Sequence, residues 1–206
     1  MGVLLRSADS VVVVTVANVS GTGSAPVLTG RVLRTIKGSL RSGADVRIST
    51  AGQSDNSPLP RLAGRTCVWF LKQTGSLWTA LPVMAGSLSA EMACIAVPAA
   101  APQIAGMTPE DALAAELLGA LDSDETADQA EEFLTIGMAD VKSGQLLGQL
   151  GAMAASPQVR KRRMALSLLL RQSAAQTAPL LTASDFTADA RGLLTGSLCQ
   201  FSGQWP

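Results

Sequence analysis

Two periods divide the chain. Through about residue 98, apolar side chains come in short alternating runs, and from about residue 106 they recur every three to four residues. The first pattern is that of strands and the second that of helices. "SVVVVTVANV" (10–19) is β-branched and apolar at odd and even positions alike, which predicts a strand buried on both faces. "SGTGSAP" (20–26) is turn chemistry, and "VLTGRVLRTIKG" (27–38) is a second strand. "GSLRSG" makes a glycine-closed connection to "ADVRIST" (44–50), where Val46 and Ile48 alternate with Asp45, Arg47 and Ser49. After a loop with two prolines (51–64), "RTCVWFLK" (65–72) and "SLWTALPV" (76–83) flank a turn at Gln73 to Gly75 and read as a hairpin. "EMACIAV" (91–97) supplies a sixth strand. Five or six short strands with regular turns predict a small barrel or sandwich.

"PAAAPQIAG" (98–106) marks the change of period, placing a linker at 99–105 between a β-domain at 1–98 and an α-domain at 106–206. "TPEDALAAELLGAL" (108–121) opens with an N-cap threonine, a proline at the first helical position and acids in the first turn. Further helices are predicted over 123–138, 143–155 and 156–173, with short ones in the remainder. The fold class expected is α+β in two domains.

Composition narrows the chemistry. The chain has no histidine, which excludes histidine-dependent triads, histidine-ligated zinc and imidazole proton shuttles. Charged residues are 16% and apolar residues 47%, so charge-driven disorder is excluded as well. The zero formal charge hides an asymmetry: through residue 104 there are nine basic and four acidic side chains, and beyond it seven and twelve. Such halves are expected to carry surfaces able to face one another. Cys67, Cys94 and Cys199 form no ligand cluster; Cys67 and Cys94 are either buried thiols or, in an oxidising compartment, a disulfide. "MGVLLRSAD" has too short an apolar run for a signal sequence, and "VVVVTVANV" is too short to span a bilayer.

The order "ADSVVVVTVANV", "GRVLRTIKGSLRSGADVRIST", "LAGRTCVWFLKQTGSLW" across residues 8–83 resembles bacterial extracytoplasmic domains of OB-like, netrin/TIMP-like type. That resemblance implies a small β-barrel outside the cytoplasm, with no catalytic residue carried over. The netrin/TIMP cysteine framework is missing, including the N-terminal cysteine with which TIMP inhibitors reach a target's metal. "SPQVRKRRMALSLLLRQSAAQTAPLL" resembles a HEAT-type helical repeat, which implies a stacked array with one binding face. Arg162 and Arg163 stand where such repeats more often place small residues.

No motif adds catalysis. The acidic run "LDSDETADQAEE" (121–132) lacks the glycine and glutamate an EF-hand loop needs at 127 and 133, and reads as a helix start. "RKRR" (160–163) points in four directions on a helix, so it makes no basic face and reads as a solvated side. "SGTGSAP" matches neither phosphate-loop pattern, and GxSxG and SxxK are absent. Single-stranded nucleic acid would need exposed aromatics on the barrel, but Trp69 and Phe70 point to opposite faces of one strand, so at least one is core. The expected function is a non-enzymatic interaction or scaffold module without metal or cofactor, the alternative being a protease regulator acting through the barrel rim. A carboxylate-dependent hydrolase would need two acids roughly 5–10 Å apart across a cleft. Candidate surface residues are Arg34, Trp78, Arg160 and Arg163. Arg34 follows Val32 and precedes Ile36 at strand spacing, so it is expected to be buried, paired or at a rim.

Overall fold

The computed structural model describes residues 2–20, 26–50, 62–75, 77–83, 94–102, 104–137, 141 and 143–172. Its strands are β1 (Ser10–Ser20), β2 (Val27–Lys37), β3 (Asp45–Ser49), β4 (Thr66–Thr74), β5 (Leu77–Ala80) and β6 (Cys94–Ala96). The helices are α1 (Gly2–Ser7), α2 (Pro109–Ala120), α3 (Asp124–Gly137), α4 (Gly144–Ala154) and α5 (Val159–Leu170). The fold is mixed α+β. The order β1-β2-β3-β5-β4, with β4 returning to pair with β1, closes a five-stranded barrel. All pairings are antiparallel except β3 with β5. The short helix α1 was not foreseen; it buries Leu5, and the Lys37 ammonium donates to the carbonyls of Leu5 and Ala8 at its C-terminal end, both at 2.6 Å.

The run of four valines works as expected of a strand with two buried faces. Val12, Val14 and Val16 point into the barrel with Leu28, Val32, Ile48, Cys67, Trp69 and Leu71. Val11 and Val13 point the other way, with Val68, Phe70 and Ile95, into a second cluster shared with α2 to α5. Trp69 and Phe70 do lie on opposite faces of β4, and both are fully buried, one inside the barrel and one under the helices. The outer wall of the barrel is therefore the floor of the helical core. Gly30 is needed for the β1–β2 approach, because a Cβ there would lie 2.6 Å from the Thr15 carbonyl oxygen.

Strand β2 is not regular. Val14 opposes Val32 while Val13 opposes Arg34, so Leu33 is an extra residue in a β-bulge. The bulge reverses the alternation. Val32 stays inside the barrel, whereas Arg34 and Ile36 turn toward the helices, which corrects the expectation that all three share a face. Cys67 and Cys94 are buried free thiols. Cys67 opposes Ala96 and Cys94 opposes Trp69, so the two are diagonal neighbours, where Cα atoms lie about 7–8 Å apart, beyond ordinary disulfide reach.

The helices start near where their sequence signals put them. Thr108 caps α2, its hydroxyl accepting from the Asp111 N–H at 3.2 Å, and Ser143 caps α4 through the Leu146 N–H. The "SPQ" entry to α5 is shorter in effect: the helix begins at Val159, and the Ser156 hydroxyl accepts from the Gln158 N–H instead. Every residue of α2 from 111 to 118 is buried, as the central helix of the cluster requires. The other edge of β6 is closed by a side chain rather than a strand: Gln129 of α3 donates to the Cys94 carbonyl at 3.0 Å and accepts from the Ala96 N–H at 3.2 Å. The expected helices beyond residue 172, with Cys199, lie outside the described residues, as do residues 21–25 and 51–61 of the expected loops. No helix among the described residues is long and apolar enough to cross a membrane.

Candidate functional site

The most unusual side chain in the core is Glu116. It sits mid-way along α2 with leucines and alanines on every side in sequence, and its side chain is 1% exposed. A carboxylate in such a place needs a partner. The bulge in β2 supplies one. Arg34 Nε donates to Glu116 Oε1 at 2.6 Å and Nη2 donates to Oε2 at 2.7 Å, a bidentate fork across the barrel–helix boundary. The rest of the guanidinium is used on the segment joining the two halves: Nη1 donates to the Ala99 carbonyl at 2.7 Å and Nη2 to that of Pro98 at 3.1 Å. Burial pushes the Glu116 carboxyl above its usual value, and the hydrogen bonds and charge of Arg34 pull it partly back.

Beside this junction lies a cavity of about 430 Å³. Arg34, Thr35 and Ser42 line one side, and Pro102, Ile104 and Gln145 the other. The Thr35 hydroxyl is turned away to the Leu40 carbonyl. The arrangement holds one guanidinium already neutralised by one carboxylate, and that pair is suited to fastening and orienting.

Of the other candidate residues, none joins Arg34. Trp78 opposes Ile48 and is half-buried at the barrel interior, not stacked outward. The four residues of "RKRR" do take four directions, but only Arg163 is exposed. Arg160 bridges to Asp128 at 2.7 Å and to Glu131 at 3.6 Å, and Lys161 pairs with Asp122. Arg162 is buried and donates to the Ser156 carbonyl at 3.0 Å. Arg160 and Lys161 of the basic run thus pair with acids of the 121–132 run, and only Arg163 keeps the picture of a solvated basic side. Across the halves, Arg65 also pairs with Glu125. No group of three or more cysteine, aspartate or glutamate side chains able to hold a metal ion occurs among the described residues.

Glu116 was missed in the sequence although a signal was there. One acid inside "LAAELLGA" has no polar stripe to sit on, so it must either interrupt the core or be paired within it. The chain matches no protein-family model and no curated protein.

Proposed function

We propose that this chain is a non-enzymatic interaction or scaffold module that acts outside the cytoplasm, an OB-like barrel buttressed by HEAT-like helices. The observation that supports it most is the use of the buried charges. Arg34 and Glu116 are spent on each other and on the connecting carbonyls, so the junction fixes geometry instead of presenting reactive groups. The OB-like, HEAT-like and extracytoplasmic parts of the reading rest on the resemblances of residues 8–83 and of the α5 region.

The test is capture with the immobilised whole chain, followed by identification of the bound protein and binding assays with purified components. A saturable partner, with no turnover in hydrolase screens, is the expected result. Inhibition of a metallo- or serine protease in a panel assay would replace this reading with that of a protease regulator. Substrate turnover abolished by E116Q would overturn both.

A further inference from the structure

The outward positions of β2 and β3 are mostly polar, with Val27 and Leu33 the apolar ones. On β2, Thr29 and Arg31 point outward between the buried Leu28, Gly30 and Val32; on β3, Asp45 and Arg47 do so around Val46 and Ile48. The register sets Arg31 opposite Asp45 and Thr29 opposite Arg47, so the two arginines are diagonal neighbours on one face. Thr79 of β5 opposes both Ser49 of β3 and Lys72 of β4, which carries the band onward to a third cation. Arg31, Arg47 and Lys72 are exposed, and none is held in an ion pair among the described residues. Arg34, from the same stretch of sequence, is the one committed to the interior.

We infer that the outer face of β2, β3 and β4 around Arg31, Arg47 and Lys72 is a docking surface for an extended acidic segment of a partner protein. Diagonal cross-strand positions lie about 7–8 Å apart, and carboxylates on alternate residues of an extended peptide repeat at about 6.8 Å, so successive acids can meet successive guanidinium groups. Arginine forks suit carboxylates in this geometry. Nucleic acid fits less well, because the face has no stacking platform: Trp69 and Phe70 are fully buried and Trp78 packs on the barrel interior. A second copy of the chain is a poorer partner, since its acidic run at 124–132 lies on a helix and not on an extended segment, and Asp122, Glu125, Asp128 and Glu131 are already paired within the molecule. Asp45 sets the register by repelling an acid placed directly over it.

The inference rests on the interaction reading above and is tested separately from it. The whole chain is titrated with a labelled short polyglutamate peptide and, in parallel, with an oligothymidylate of equal charge. Saturable peptide binding is expected, weakened about tenfold or more in R31E/R47E, unchanged in R163E, and lost as salt shortens the Debye length from about 10 Å to about 3 Å. Far-ultraviolet circular dichroism checks that R31E/R47E is folded. No saturable peptide binding, equal binding by R31E/R47E, or tighter binding of the oligonucleotide overturns the inference. A captured partner whose binding survives R31E/R47E would sink it while leaving the scaffold reading intact.

Discussion

Two of the ionic junctions among the described residues differ in kind. Between β2 and α2, one guanidinium and one carboxylate meet in a fork almost sealed from water, with Arg34 and Glu116 side chains 11% and 1% exposed. Between α3 and α5, several charges meet at the surface, where Asp128 is 85% exposed. The first junction replaces solvation with protein partners and fails badly if one partner goes. The second only trades water for an ion, and water can take the place back. A count of ion pairs would treat them alike; burial separates them.

The largest difference between the two junctions is expected at Glu116. E116A leaves the Arg34 guanidinium buried without its carboxylate and is expected to cost about 3–5 kcal/mol in urea unfolding. Replacing both partners with apolar side chains, as in R34M/E116L, is expected to range from neutral to about 1–4 kcal/mol stabilising. A similar loss in the double replacement would mean that the pair itself, not its integrity, supplies the stability. Next in size is Q129A, which strands the Ala96 N–H and Cys94 carbonyl on the edge of β6; about 1–2 kcal/mol is expected, with faster amide exchange at Ala96.

The pH response sharpens the same contrast. With the folded carboxyl of Glu116 raised above 4.5, the folded state holds a proton that the unfolded chain has released throughout the window between those two values. The contribution of Glu116 to stability is therefore full below 4.5 and falls as pH rises through the folded value. Unfolding midpoints across a pH series should show that slope in the parent chain and lose it in E116Q. The smallest effect belongs to the surface junction: D128N should change stability by no more than about 1 kcal/mol, and less in high salt.

Much of the framework was legible because it depends on periodicity. Val11, Val12, Val13 and Val14 announced a strand with two buried faces, and the Thr108 cap with its following proline and acids announced α2. Arg34 was legible as a residue that had to be buried, paired or at a rim, because the apolar spacing around it left no other place. Its partner was not, since the fork joins residues from different halves of the chain. The bulge at Leu33 was also invisible: one extra residue leaves composition and propensity unchanged and shows only in the pairing with Val13 and Val14. The runs at 121–132 and 160–163 read alone as a helix start and a solvated side, and only their packing pairs Arg160 and Lys161 with Asp122, Asp128 and Glu131.

Arg34 and Glu116 act as one unit that locks the barrel to the helices. A double-mutant cycle of R34A, E116A and R34A/E116A, measured by equilibrium unfolding, isolates that coupling. Strong non-additivity is expected, with the double variant no less stable than either single variant and a coupling of about 1.5 kcal/mol or more. Additive losses, with coupling near zero, would show that the two side chains contribute independently and would contradict the lock.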